Sequence, residues 1–106
     1  MAQIIWTEPA LGDLDTIADY IALDRPSAAR QLIRKIFKKV GLLGRFPNLG
    51  AVVPELRSLP YRQLFISPCR VFYKLQKGKI FIVFVMRSER RFSGEVIHKR
   101  ERSFPH

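Results

Sequence analysis

A chain of 106 residues with 47% hydrophobic content is long enough for one compact domain and too short for two. The longest apolar run, residues 80–86, is too short to span a bilayer, and the N-terminus lacks a secretory signal, so we expect a soluble, unsecreted protein. One cysteine and two histidines give no internal disulfide and no zinc-ligand spacing, so neither a metal nor a cofactor is expected.

The formal charge of +10 is unevenly distributed along the chain. Residues 1–25 contain five acidic side chains and one basic side chain, a net charge of −4, so the remainder carries +14. Such a field attracts polyanions, which include nucleic acid, an anionic membrane surface and an acidic protein partner. The charge alone does not distinguish among these three.

The first half of the chain has the pattern of a strand followed by two helices. Residues 3–6, QIIW, predict a short strand, and Thr7 is placed to cap a helix. Apolar residues then recur at intervals of three and four, which predicts a helix over residues 8–23. Pro26 begins a second amphipathic helix after a short connection, so the two helices form an antiparallel hairpin. The predicted core contains Leu14, Ile17, Ile21, Ile33, Phe37, Val40, Val71 and Tyr73.

The period changes to that of β-strands after the FPNLG segment, residues 46–50. An antiparallel meander of three strands is predicted for residues 61–67, 69–75 and 79–86. The fold class is therefore α+β in a single domain, with the order β-α-α-β-β-β. We expect the helical hairpin to pack on one face of a mostly antiparallel sheet, and residues 92–106 to form a C-terminal tail with weak helical character.

Two surfaces of this predicted fold call for a partner. The middle strand directs Arg70, Phe72 and Lys74 away from the helices, beside part of the apolar run that includes Phe84, which predicts an apolar face in need of a cover. The exposed side of the second helix carries cations without acids, and like charges at i,i+4 repel each other. We expect an acidic, amphipathic partner that contacts Arg34, Lys38, Arg70, Phe72, Lys74 and Phe84.

The catalytic options are few, because the sequence has no phosphate-binding loop and no nucleophile with a credible histidine partner. Arginines interleaved with tyrosines can hold phosphates and stack bases. RNA cleavage without a metal also needs proton carriers, and Tyr and Arg have pKa values far above neutral pH. A nuclease would use Arg57, Arg62, Tyr73 and Arg87. The alternative for each arginine is a solvated sheet edge that prevents aggregation.

An ordered set of residues covers nearly the whole chain: Trp6, Ala10, Asp13, Leu14, Ile17, Tyr20, Ile21, Pro26, Ala28, Ala29, Pro47, Gly50, Glu55, Arg62, Arg70, Val71, Phe72, Tyr73, Val85 and Arg90. Together with the predicted element order, this set resembles the ParE/RelE superfamily of bacterial toxins, and the ParE branch more than the RNA-cleaving RelE branch. The chain departs from the usual pattern at Cys69, where a tyrosine is common. It also has Arg87 followed by Arg90 and Arg91, in place of a histidine followed by an Arg-Asp pair.

The resemblance implies a toxin of a type II toxin–antitoxin pair, which acts in the bacterial cytoplasm, inhibits DNA gyrase and is held silent by an acidic antitoxin. A disordered antitoxin segment that folds on binding matches the acidic, amphipathic partner expected above. The expected target-binding residues are Arg62, Arg70, Arg87, Arg90 and Arg91. Two alternatives remain, a ribosome-dependent mRNA endonuclease of the RelE type and a plain nucleic-acid-binding module.

Overall fold

The computed structural model describes residues 1–56 and 59–102. Its helices are α1 (Glu8–Ala22), α2 (Pro26–Gly41) and α3 (Gly94–Glu101), with short 3-10 turns at Leu42–Gly44 and Pro54–Leu56. Its strands are β1 (Gln3–Trp6), β2 (Ala51–Val52), β3 (Tyr61–Ile66), β4 (Cys69–Gln76) and β5 (Lys79–Arg87). In this described part of the chain, every helix is too short or too polar to cross a bilayer.

The strands form one sheet in the order β1-β5-β4-β3-β2. Only the pairing of β1 with the first half of β5 is parallel, and the other pairs are antiparallel. The predicted α+β fold and mostly antiparallel sheet are therefore confirmed. Strand β2 was not predicted, because two residues at the sheet edge are too few to show a period.

Local chemistry fixes the ends of the predicted elements. The Thr7 hydroxyl accepts a hydrogen bond from the Ala10 amide at 3.4 Å, which caps α1, and donates one to the Ile82 carbonyl at 2.7 Å. The cap thereby also anchors the start of α1 to β5. The turn between β4 and β5 has positive φ angles at two residues, 52° at Lys77 and 74° at Gly78. Glycine adopts such an angle without steric cost, which suits Gly78 to the second position.

The first core lies between the helical hairpin and the sheet, as predicted. Leu14, Val40, Val71 and Tyr73 are buried there, and three further predicted core residues pack against them while partly exposed: Ile17, Ile21 and Ile33. The prediction for Phe37 is wrong, since its side chain is 42% exposed. Phe37 lies at the margin of the apolar stripe and packs against Trp6, with ring centroids 4.7 Å apart.

A second core covers the other face of the sheet, so the expectation of a bare apolar face is wrong. Phe72 and Lys74 are only 0% and 5% exposed. The cover comes from the chain itself, through Phe92 and α3, whose Ile97 is completely buried. The weakly helical tail of the sequence prediction thus contains a helix that belongs to the fold.

The alternation of side chains along β5 supplies apolar residues to both cores, and a bulge shifts that alternation by one residue. Phe84 is opposite Phe72 and Ile82 is opposite Tyr73, so Val83 has no cross-strand partner. The extra residue shifts the alternation of side chains. Ile82 before the bulge and Val85 after it both face the helical hairpin, while Val83 belongs to the second core.

A bidentate ion pair connects α3 to α1. Arg100 Nη1 and Nη2 donate to the Asp13 carboxylate at 2.6 and 2.8 Å. The same two side chains bind the backbone of β5: Arg100 Nη1 donates to the Val83 carbonyl at 2.9 Å, and the Val85 amide donates to Asp13 Oδ2 at 2.9 Å. Strand β1 pairs with β5 only as far as Ile82. Beyond that point, Asp13 and Arg100 provide hydrogen-bond partners for the backbone of β5 at Val85 and Val83.

The substitution Arg100→Met should lower the free energy of unfolding by about 2–3 kcal/mol, because it leaves the Asp13 carboxylate without its counter-charge in a largely buried position. Lys99→Met, at an exposed neighbour on the same helix, should change it by less than about 0.5 kcal/mol. Urea titration of the three proteins measures the difference. Equal effects of the two substitutions would contradict a structural role for the ion pair.

Candidate functional site

Arg62 and Tyr73 lie opposite each other on β3 and β4, and both bind the loop that follows the 3-10 turn at Leu42–Gly44. The Tyr73 hydroxyl donates to the Pro47 carbonyl at 2.7 Å and accepts from the Gly50 amide at 2.9 Å. Arg62 Nη1 donates to the Gly50 carbonyl at 2.7 Å. A Cβ atom on Gly50 would lie 2.7 Å from the Tyr73 ring, so the close approach requires glycine.

These contacts leave Tyr73 poorly suited to proton transfer. Burial raises the pKa of the Tyr73 phenol above its usual value, although the Gly50 hydrogen bond and the Arg62 charge oppose that shift. A general base needs a pKa near the working pH and access to substrate, and Tyr73 is completely buried.

Of the residues proposed for a nuclease, Arg62 and Tyr73 lie together, and Arg87 lies apart from them. Arg87 is paired with Cys69, which precedes Tyr73 by four residues on β4. At about 3.3 Å per residue, this separation is roughly 13 Å along the strand. Arg57 lies outside the described residues.

Arg70 lies on the outer face of the sheet among aromatic rings. Its guanidinium carbon is 4.9 Å from the ring centroid of Phe72, 5.3 Å from that of Phe92 and 5.6 Å from that of Phe65. Its Nε and Nη2 both donate to Gln63 Oε1, at 2.9 and 2.6 Å. The charge is thus held by cation–π contacts and an amide rather than by a carboxylate.

The rings around Arg70 continue to Phe84, and we call Phe65, Phe72, Phe84 and Phe92 the aromatic cluster. Phe72 stacks on both Phe92 and Phe84, with centroids 4.6 and 5.5 Å apart. Phe65 is 58% exposed, whereas Phe84 is only partly exposed. Of the residues predicted to bind a partner on this face, Arg70 and Phe84 reach the surface, and Phe72 and Lys74 are covered. Phe65 was missed, although its place in β3 between buried Leu64 and Ile66 indicates an outward side chain.

A groove of about 360 Å³ lies between α1 and the end of β5, and we call it the arginine groove. It is lined by Asp13, Thr16, Ile17, Tyr20, Phe84, Val85, Met86, Arg87 and Arg90. The Arg87 guanidinium carbon is 5.8 Å from the Tyr20 ring centroid. Arg87 Nε is 2.7 Å from Glu89 Oε1, so the two side chains form an ion pair. The Nε–H group of Arg87 does not donate a hydrogen bond to that carboxylate. Arg90 and Arg91 are exposed and form no ion pair with any described acidic residue.

The two predicted contact residues on α2, Arg34 and Lys38, are exposed on the outer side of that helix. Neither forms an ion pair within the described residues. They lie on a different element from the aromatic cluster, so the structure divides the predicted partner surface into two parts.

The described residues offer neither a cluster of metal ligands nor an accessible thiol. Across residues 1–56 and 59–102, no three side chains of His, Cys, Asp or Glu come together to hold a metal ion. Cys69 is completely buried, and burial raises the pKa of its thiol. A buried thiol with a raised pKa is a weak nucleophile.

A sequence model of a protein family, described as the ParE toxin of the type II toxin-antitoxin system parDE, matches residues 4–92. The chain belongs to the ParE toxin family. The match includes the helical hairpin and all of the sheet except Gln3, and it ends at Phe92, two residues before α3 begins. The resemblance drawn from the sequence is therefore confirmed at the level of the family.

Two relatives agree with this assignment. Toxin RelE2 of Caulobacter vibrioides is 32% identical over 91 residues, which cover 85% of this ParE-family chain and 99% of the relative. A solved structure described as a chromosomal ParDE TA system from P. aeruginosa superimposes with a TM-score of 0.70 at 26% identity. That superposition covers 84% of this chain and 98% of the solved chain.

Tyr73→Phe should lower the free energy of unfolding at pH 7 by about 1–3 kcal/mol, because the Gly50 amide loses its acceptor and the Pro47 carbonyl its donor. It should also reduce the loss of stability above pH 10. In the wild type the folded state keeps the Tyr73 proton to higher pH than the unfolded state, so the free energy of unfolding falls as the pH rises.

Urea titrations at pH 7 and pH 10.5 measure both effects of Tyr73→Phe. Tyr20→Phe is the matched control, since the Tyr20 side chain is 67% exposed and should change neither quantity appreciably. A Tyr73→Phe protein as stable as the wild type at pH 7 would show that the loop is held by other contacts.

Proposed function

We propose that this ParE-family toxin inhibits DNA gyrase in the bacterial cytoplasm and is neutralised by an acidic antitoxin. The observation that carries the proposal is the family match over residues 4–92. The solved relative is described as a ParDE TA system, and this description supports an antitoxin as the partner.

A ribosome-dependent mRNA endonuclease is the second candidate, favoured by the name of the relative, Toxin RelE2. The geometry of the candidate nuclease residues weighs against it. Both hydrogen-bonding positions of the Tyr73 hydroxyl are occupied by backbone groups, and Arg62 holds the same loop. Gyrase inhibition needs a docking surface rather than a proton carrier, and the exposed Tyr20, Arg90 and Arg91 at the arginine groove support such a role.

We place the target contact at the arginine groove and the loop that follows it. Arg90 and Arg91 are exposed there, and Tyr20 offers a largely exposed ring beside Arg87. Aromatic and arginine side chains are enriched at the energetically dominant positions of protein interfaces. Arg62 and Arg70 were also predicted from the sequence to bind the target. Arg62 donates to the Gly50 carbonyl and Arg70 to the Gln63 side chain, and neither residue is part of this surface.

Purified wild-type protein should inhibit negative supercoiling by gyrase and leave mRNA on ribosomes intact. The double substitution Arg90→Glu, Arg91→Glu should raise the half-inhibitory concentration by roughly tenfold or more, because it reverses two charges at the proposed contact. The matched control is Lys99→Glu, Arg102→Glu, which makes the same change in net charge on and next to α3. The control should inhibit as the wild type does.

Each other outcome of these assays has a definite meaning. Cut mRNA with unimpaired supercoiling would establish the endonuclease instead. Wild-type inhibition that both double variants lose equally would contradict the groove as the contact and leave gyrase as the target. Absence of both activities would overturn the proposed function.

The antitoxin is proposed to cover the exposed part of the aromatic cluster, where Phe65 and Arg70 combine an apolar ring with a positive charge. An acidic, amphipathic segment satisfies both at once, since its apolar side removes the ring from water and its carboxylates meet the cation. Phe72, which the sequence analysis included in this surface, contributes from beneath by supporting the Arg70 guanidinium.

Phe65→Ala should weaken binding of the proposed cognate antitoxin by about 1–3 kcal/mol, the usual cost of truncating an aromatic anchor. Leu23→Ala is the matched control, because Leu23 is also an exposed large apolar residue but lies at the end of α1. Calorimetric titration of the three proteins measures the affinities. Equal affinities for all three would place the antitoxin elsewhere.

A further inference from the structure

The solvent-facing side of α2 is made of cations. Within Pro26–Gly41 the basic residues are Arg30, Arg34, Lys35, Lys38 and Lys39, and the helix contains no acidic residue. All five are exposed, while Ala29, Leu32, Ile36 and Val40 form the buried stripe. Neither the ParE assignment nor the proposed gyrase contact uses this helix face.

No carboxylate of the described residues neutralises these charges. The two ion pairs found there are Arg87 with Glu89 and Arg100 with Asp13. Lys35 and Lys39 instead donate to the carbonyls of Ser67 and Phe65, at 2.9 and 3.4 Å, which holds their ammonium groups beside the end of β3 without cancelling them. The face is therefore a helix surface with five positive charges that form no ion pair within residues 1–56 and 59–102.

The chemistry of the face selects the kind of polyanion. A protein interface is built around a desolvated apolar or aromatic centre, and single-stranded RNA is bound by aromatic rings that stack on bases. The residues of α2 itself provide neither, since the one exposed large apolar side chain within the helix, Phe37, lies at the margin of the apolar stripe and packs against Trp6. An interface with phosphates is polar and strongly positive.

We propose that α2 binds the phosphate backbone of duplex DNA without reading its sequence. Arg30, Arg34 and Lys38 follow each other at i, i+4 and i+8, so they form one row along the helix with successive Cβ atoms about 5–6 Å apart. Lys35 and Lys39 extend the positive surface on one side of that row. The inference is independent of gyrase inhibition, because binding to DNA is measured without gyrase.

Fluorescence anisotropy with two 20-base-pair duplexes of unrelated sequence, between 50 and 200 mM salt, tests the proposal. The wild type should bind both duplexes alike, with an affinity that falls linearly with the logarithm of the salt concentration. Arg30→Gln, Arg34→Gln should reduce that slope by about 1.8, since each lost phosphate contact accounts for about 0.9 on B-DNA. Lys99→Gln, Arg102→Gln removes the same charge at α3, on the opposite face of the sheet, and should leave the slope unchanged.

Equal losses in the two double variants would overturn the proposal, because they would show a response to net charge alone. Arg30→Lys, Arg34→Lys keeps the charges and should keep the slope, which separates charge loss from any defect in folding of the glutamine variant. Tighter binding of single-stranded RNA, or of a polyglutamate peptide, than of duplex DNA would also overturn it. In that case α2 is a surface for RNA or for an acidic protein segment.

Discussion

The molecule depends on one constraint, which is that the long strand β5 carries apolar side chains on both of its faces. Each large buried side chain contributes about 1.5–3 kcal/mol to folding, and a bare apolar face promotes aggregation. The chain meets this constraint with the helical hairpin on one face and with Phe92 and α3 on the other. The alternation of side chains along β5, shifted once by the bulge at Val83, distributes them between the two cores. Phe92 and α3 therefore form a structural layer of the domain.

Two residues at the C-terminal end of α3, Arg100 and Glu101, hold this layer by polar contacts. Arg100 binds Asp13 and the edge of β5, and the Tyr61 hydroxyl donates to Glu101 Oε1 at 2.5 Å. Burial is the largest cause of the raised pKa of Tyr61, and the neighbouring Glu101 carboxylate adds to it. The contacts at the edge of β5 also have a protective effect, because a strand edge with satisfied amide and carbonyl groups is a poor template for pairing with another chain.

Sequence periodicity predicted the elements that are long and locally determined, and it failed where the outcome depends on distant contacts. The two long helices and the three long strands each repeat their pattern several times. Phe37 has the spacing of a core residue, but in the folded chain it is 42% exposed and packs against Trp6 at the margin of the core. Helix α3 has one fully buried residue, and its Arg100 contact spans 87 positions along the chain. No local pattern contains that information, so the covered outer face was predicted as bare.

The same limit applies to the candidate site, since arginines of similar sequence context have different surroundings. Arg62 and Arg70 were grouped with the target-binding residues, yet Arg62 donates to the Gly50 carbonyl and Arg70 to the Gln63 amide oxygen. Arg90 and the cations of α2 form no ion pair with a described acidic residue, although Lys35 and Lys39 donate to backbone carbonyls. The arginine groove and the cationic face of α2 are therefore two positively charged surfaces built on different elements. In the proposed arrangement the antitoxin covers the aromatic cluster on the outer face of the sheet, so α2 on the opposite face stays accessible to a polyanion in the toxin–antitoxin complex.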